Sequence, residues 1–213
     1  MKIHMVLGGT YQELFENQIQ EEDLVIGVDR GAWRLAKNHY RMDLAIGDFD
    51  SVSASELKKI KTCAQLFEQF PSEKDDTDTE LALDWAVTHF PEATIKMYCW
   101  NGGRIDHLMS IMYLVYQDRF RPFAEQLQLI DAQHVVQFYK AGQHVLQKLT
   151  DFQYLSIITM TPVDDLTIQG AKYELASTTF DYPRALISNE FIAHQTVQVS
   201  FSKGLLVVIH SRD

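Results

Sequence analysis

Four short stretches concentrate oxygen ligands and cations in this chain. Gly47-Asp48-Phe49-Asp50-Ser51 sets two carboxylates two residues apart and follows them with a hydroxyl. A hard divalent cation favours such oxygen ligands and keeps part of its water shell. Lys74-Asp75-Asp76-Thr77-Asp78 adds an ammonium and further carboxylates, Asp29-Arg30-Gly31 adds another, and Gly102-Gly103-Arg104-Ile105-Asp106-His107 adds a guanidinium, a carboxylate and an imidazole. Crowded carboxylates raise one another's pKa unless a cation neutralises them. Mg2+ does so and still offers positions to phosphate oxygens. Lys74 and Arg104 would meet a polyphosphate directly, the arginine bidentately. The glycines let backbone N–H groups approach an anion, as at helix starts. Each stretch also has an ordinary reading. Aspartate pairs form turns, Asp78 and Asp106 complement helix dipoles, His107 hydrogen-bonds at a helix start, and Lys74 is a solvated surface residue.

The elements that carry these stretches decide between the two readings. Apolar runs at 3–7, 24–28, 44–46, 65–70 and 94–100 read as strands. After them come, in order, Gly8-Gly9-Thr10, Asp29-Arg30-Gly31, the Asp48 stretch, the Lys74 stretch and the Arg104 stretch. Leu108, Ile111, Met112 and Val115 recur at helical spacing, as do Leu81 and Trp85. Thr77 and Glu80 have the spacing of a capping box that opens the Leu81 helix. Strands alternating with helices predict an α/β unit, a mostly parallel sheet flanked by helices. Ligands bind such sheets at the carboxyl ends of the strands, so the scattered polar residues would gather on one rim. A last strand is expected at 127–130. Beyond it, strand-like runs at 143–149, 154–160, 165–168, 172–175, 196–201 and 205–210 are separated by turns such as Thr161-Pro162, Gln169-Gly170, Tyr182-Pro183 and Lys203-Gly204. That texture predicts a C-terminal antiparallel β-sandwich. The expected domains are 1–132 and 133–213, with no internal repeat.

Composition narrows the function. The 213 residues are 46% hydrophobic, enough for a sizeable core. No apolar run approaches the ~20 residues that span a bilayer, and the first apolar run, with glycines straight after it, reads as a strand rather than a signal peptide. Cys63 and Cys99 form no C-x-x-C pair, and no N-x-[ST] sequon occurs. A disulfide framework and a thiolate zinc site are therefore not expected, and a reducing cytoplasm fits. The net charge of -10 argues against a nucleic-acid surface. An acidic protein binds phosphates through a metal ion or a local Lys/Arg focus. The P-loop and G-x-G-x-x-G motifs are absent. The residues thus point to a Mg2+-dependent enzyme acting on a phosphorylated or nucleotide substrate. Two other readings stay open: a Mg2+-dependent phosphatase using Asp48-x-Asp50 as nucleophile motif, and a non-catalytic nucleotide- or ligand-sensing dimer.

Asp29-x-Gly31, Gly47-Asp48-Phe49-Asp50-Ser51, Lys74-Asp75-x-Thr77-Asp78 and Gly103-Arg104-x-Asp106-His107, in this order, resemble the thiamine pyrophosphokinase family. Gly170-x-x-Tyr173-x-Leu175, Ser188-Asn189-Glu190 and Gly204-Leu205-Leu206-Val207-Val208 are similar to runs in its second domain. The resemblance implies an ATP- and Mg2+-binding α/β domain, a thiamine-binding and dimerising β-sandwich, and a homodimer with active sites between subunits. It implies transfer of pyrophosphate from ATP to the thiamine hydroxyl, with no nucleic-acid or membrane partner. It further implies that Asp48, Asp50, Asp78 and Asp106 hold the metal and act with Lys74 and Arg104. Gly9, Asp29, Gly31, Ser51, Asp75, Thr77, Gly103 and His107 would line the nucleotide site, and Ser188 and Asn189 would lie near thiamine. One departure is visible: Cys99-Trp100-Asn101 stands where the family often has Gly-Ala-Thr, which changes the shape of that loop.

Overall fold

The computed structural model describes residues 1–10, 19–102, 104–192 and 196–213. Gly103 lies outside the described residues. The chain divides into two compact units, Met1–Ala132 and Gln133–Asp213.

In the first unit, β1 (Lys2–Val6), β2 (Leu24–Val28), β3 (Leu44–Gly47), β4 (Leu66–Gln69), β5 (Thr94–Tyr98) and β6 (Leu127–Ile130) alternate with α1 (Arg30–Lys37), α2 (Ala54–Cys63), α3 (Asp78–His89) and α4 (Ile105–Tyr113). The strand order is β4-β3-β2-β1-β5-β6, and every pair in it is parallel. β1, β2 and β3 are buried almost throughout, as strands covered on both faces must be. Each fully buried Ile or Leu here, such as Ile3, Ile26 and Leu44, contributes about 1.5–3 kcal/mol. β4 is the half-exposed outer strand. The chain runs outward from β1 to β4 and then returns to the other side of β1 with β5. That reversal creates a crevice at the carboxyl ends of β1 and β5.

In the second unit, β7 (His134–Leu146), β8 (Tyr154–Thr159), β9 (Val163–Gln169), β10 (Leu175–Phe180), β11 (Ala185–Glu190) and β12 (Val197–Ser211) are all antiparallel. β7 and β12 form a long ribbon that belongs to two layers. One end of β12 pairs with β9, which carries β10; the other end pairs with β8, which carries β11. Leu146, Leu155, Ile157, Ile168, Val199, Phe201, Leu206 and Val208 fill the core between them. The runs expected at 196–201 and 205–210 are one strand. The turn signal Lys203-Gly204 is a bulge inside it, between Phe201 and Leu205. Gly204 has φ 109°, and a Cβ there would stand 2.5 Å from the Pro162 carbonyl oxygen, so only glycine fits. The strand expected at 172–175 is instead a non-strand segment, and β10 begins only at Leu175.

Candidate active site

The crevice side chains are set by the turns that leave the strands. After β3, Phe49 adopts φ 61°, a left-handed conformation that costs roughly 1–2 kcal/mol. Its ring is buried and stacks on Phe67 with centroids 4.9 Å apart, which offsets the strain. This turn lets Asp48 Oδ1 accept the Asp50 N–H at 3.1 Å. After β2, Asp29 has φ 47° and precedes α1. Its N–H donates to the Ile46 carbonyl at 3.0 Å, and Ser51 Oγ donates to its Oδ2 at 2.8 Å. After β4, Thr77 caps α3 in the expected box: its Oγ1 accepts the Glu80 N–H at 3.3 Å, and Glu80 Oε2 accepts the Thr77 N–H at 2.7 Å. The box fixes Asp78 in the first turn of α3, facing the crevice.

Asp29, Asp48 and Asp78 each direct a carboxylate oxygen to one point, the oxygens lying within 4.8 Å of one another. The Lys74 ammonium bridges two of them, 3.1 Å from Asp48 Oδ2 and 2.9 Å from Asp78 Oδ1. The second contact is an ion pair without hydrogen-bond alignment, since Asp78 Oδ1 is buried with no hydrogen-bond partner. Asp29 Oδ1 is likewise buried and unpartnered. The carboxylates respond differently to this crowding. Burial pushes Asp29 up, opposed by the Ser51 hydroxyl and the Arg30 N–H, and the Asp48 and Asp50 charges push it further. Burial also raises Asp78; Lys74 opposes this, while Asp48 and Asp29 add to it. Burial works against Asp48 too, but the Asp50 N–H and the Lys74 ammonium outweigh it and hold Asp48 below the usual carboxylate range. Burial opposes the Lys74 charge, yet Asp78 and Asp48 keep its pKa raised. Three carboxylates with one ammonium leave uncompensated negative charge and, at Asp29 Oδ1, one orphaned oxygen. Those donors fit a hard divalent cation.

A cavity of about 650 Å³ surrounds this cluster. Of the residues singled out from sequence, Asp29, Asp48, Asp50, Ser51, Lys74, Thr77, Asp78, Arg104 and His107 line it. Asp106 lies outside the carboxylate cluster because Arg104 engages it: Arg104 Nε donates to Asp106 Oδ1 at 3.1 Å, and Nη2 donates to Oδ2. Both side chains are exposed, and the guanidinium holds the Asp106 carboxyl down at about 2. Asp75 points to solvent, and its neighbour Asp76 faces the cavity, where both its oxygens accept from Arg119 at 2.7 Å. Gly9 and Gly31 serve close packing. A Cβ on Gly31 would stand 1.9 Å from the Val6 carbonyl oxygen, and one on Gly9 2.2 Å from that of Asn101. Arg30 and Arg34 also line the cavity, although the motif reading passed over them. Their i,i+4 spacing directly after Asp29 was the available signal. Their guanidiniums donate to main-chain oxygens of Ser51, Leu7 and Gly8.

Ser188 and Asn189 lie on β11 in the second unit. Ser188 is exposed with φ 59°. Asn189 is buried, and its amide is spent on the main chain: Oδ1 accepts the N–H groups of Tyr173 and Glu190, each at 2.9 Å, and Nδ2 donates to the Tyr173 carbonyl at 2.8 Å. Trp100 and Phe191 are buried, whereas Tyr173 is largely exposed.

Residues 15–124 match the family model described as thiamin pyrophosphokinase, catalytic domain, and residues 143–206 match thiamin pyrophosphokinase, vitamin B1 binding domain. A thiamine pyrophosphokinase from Bacillus subtilis (strain 168) is 34% identical over 215 residues, covering 99% of each chain. The crystal structure of a thiamin pyrophosphokinase family protein from Enterococcus faecalis superposes with a TM-score of 0.92 at 35% identity, covering all of both chains. Yeast thiamin pyrophosphokinase, at 13% identity, shares the fold with a TM-score of 0.75 over 99% of this chain and 86% of that one.

Proposed function

The chain belongs to the thiamin pyrophosphokinase family, and on that premise we propose that it transfers the pyrophosphoryl group of ATP to the hydroxyl of thiamine, giving AMP and thiamine diphosphate. The observation that carries the reading is the convergence of Asp29, Asp48 and Asp78 on one point beside Lys74. The thiamine hydroxyl oxygen bonds to the β-phosphorus. The bond from that phosphorus to the oxygen bridging to the α-phosphate breaks, and its electron pair leaves on AMP. The hydroxyl proton passes to a carboxylate of the cluster or to water. Such transfers depend mainly on positioning and on charge placed before the reaction.

Asp29, Asp48 and Asp78 would hold Mg2+, with Asp50 on the same cavity wall. Bound there, the ion neutralises charge on the phosphate oxygens. Lys74 keeps Asp48 ionised and ties the turn after β3 to the start of α3. Arg104 offers a guanidinium fork to the transferred group, and Asp106 orients that fork when no phosphate is present. Thr77 fixes Asp78 through the α3 cap. We further assign Met1–Ala132 to ATP and metal and Gln133–Asp213 to thiamine. A homodimer with active sites between subunits, working in the cytoplasm, completes the proposal.

Incubation with ATP, Mg2+ and thiamine, followed by separation of the nucleotides, tests it. AMP and thiamine diphosphate in equal amounts are expected, and neither should form in excess EDTA. Phosphate release without thiamine would instead favour a phosphatase, and tight ATP binding without turnover would favour a sensor.

A further inference from the structure

We propose that Arg119 is a positioning residue for the pyrophosphoryl transfer described above, on which this assignment rests, and that it acts through Lys74. Lys74 sits on the loop between β4 and α3. None of residues 71–77 is buried, and five of the seven are exposed, so apolar packing does not hold this loop. Polar ties must do so, and Arg119 supplies one. Its Nη1 donates to Asp76 Oδ2 and its Nη2 to Asp76 Oδ1, each at 2.7 Å. In this fork a guanidinium grips a carboxylate more strongly and more directionally than a single contact does. Asp76 is two residues from Lys74 and lines the cavity, whereas Arg119 stands outside that lining. The loop is thus held from outside the site.

Arg119 is itself well fixed. Its Nε donates to Gln117 Oε1 at 2.9 Å, and its Cζ lies 4.5 Å from the ring centroid of the fully buried Phe120. The Gln117 carbonyl accepts the N–H groups of Phe120 at 3.0 Å and Arg121 at 2.8 Å. Gln117 Nε2 donates to Glu80 Oε1, and Arg119 Nη2 is 3.7 Å from the same oxygen. The other Glu80 oxygen closes the α3 cap on the Thr77 N–H. An isolated exposed ion pair contributes little. Here Arg119, Gln117, Asp76, Glu80 and the cap share their bonds, so removing Arg119 loosens more than one contact. What the network steadies is the Lys74 ammonium, which must stay 3.1 Å from Asp48 Oδ2 and 2.9 Å from Asp78 Oδ1. A charge displaced from the path of the phosphate costs rate. Gln117 directly follows the 3-10 turn Leu114–Tyr116, which continues α4, and α4 begins straight after Arg104. One helical stretch therefore carries Arg104 at its start and steadies Lys74 from its end.

Steady-state kinetics well below the melting temperature test this, with circular dichroism to check folding. Arg119→Gln should lower kcat/KM for MgATP roughly 5- to 50-fold while the KM for thiamine stays within about twofold. Arg119→Lys keeps the charge but neither the fork nor the Nε bond, and should recover less than about threefold of the loss. Asp76→Ala should lose as much as Arg119→Gln, and the double variant no more than either alone, because the two share one contact. In a Lys74→Met background, Arg119→Gln should change kcat/KM by less than about twofold. The assignment is overturned if Arg119→Gln keeps the wild-type kcat/KM, or if its full loss persists in the Lys74→Met background. It is equally overturned if Arg119→Lys restores the wild-type value, or if the double variant regains it, since Arg119 would then only compensate the Asp76 charge. Should Arg119→Gln fail to fold, Asp76→Ala, alone and in the Lys74→Met background, decides by the same criteria. If the wild type forms no AMP from ATP and thiamine, the thiamine reading itself has failed, and this assignment with it.

Discussion

Asp29→Asn separates what the carboxylate cluster does for folding from what it does for metal binding. The Asp29 oxygen lies within 4.8 Å of oxygens of Asp48 and Asp78. At an effective dielectric constant near 20, each like-charge pair at that distance costs about 3–4 kcal/mol. The Lys74 ammonium cancels roughly one such pair, and solvent in the open cavity reduces the rest. The net relief from neutralising Asp29 is then on the order of 1–2 kcal/mol. An asparagine oxygen still accepts from Ser51 and tolerates the unusual backbone at this position. In EDTA near neutral pH, Asp29→Asn should therefore melt roughly 3–6 °C above the wild type. The sign with pH follows from the raised pKa of Asp29. Its charge destabilises the fold fully above that raised value, and the cost fades as pH falls through it. The advantage of the variant should fade in the same window. Adding excess MgCl2 should reverse the order, because the wild type gains stability by binding while the variant gains little. Calorimetric melting with and without Mg2+ reads both effects. A variant less stable in EDTA, or one with an undiminished Mg2+ shift, would refute the assignment of Asp29 to a metal cluster.

Lys74→Met should lower kcat by roughly 100-fold or more and lower the melting temperature in EDTA, with Mg2+ restoring most of the melting loss but not the rate. Gly31→Ala should cost about 3 kcal/mol or prevent folding, since its Cβ would meet the Val6 carbonyl at 1.9 Å; urea titration gives the value. His210 is buried, stacks on Phe191, and is pushed down to about 4 by burial. The unfolded chain takes up that proton below about pH 6.5, so wild-type stability should fall by about 3 kcal/mol between there and pH 4. His210→Leu should flatten this part of the urea-stability profile, and an unchanged profile would exclude His210 as its cause.

Much of the first unit was legible because its signals are local. The strands are apolar runs, each ends in a polar turn, and the Thr77–Glu80 box marks the start of α3 with its cap three residues after Lys74. The gathering of polar residues at the rim was also readable, since a parallel sheet brings successive strand ends together. The membership of the carboxylate cluster was not, because it depends on directions that only the folded turns define. Asp106 has the same residue type as Asp29, but an arginine two residues away engages it, while Asp29 is turned inward by its backbone and left with an orphaned oxygen. The second unit was harder to read. β11 is exposed at half of its positions and shows no clean alternation. Gly204 looks like a turn in sequence and is a bulge in the fold. Asn189, which the family resemblance puts near thiamine, also holds the main chain of Tyr173, a role its residue type does not announce.

The shared ribbon of the second unit has a consequence for how that unit opens. β12 pairs with β7 along most of its length and with β8 and β9 at opposite ends. Neither layer can lose β12 without exposing the other. Amide protons on β8 and β9 should therefore exchange with solvent through the same opening event, at nearly one free energy, although the two strands lie in different layers. β10 and β11 each hang from a single partner and should exchange earlier. The exposed Tyr173 segment, tied to the end of β11, thus rests on the part of the unit that opens most readily.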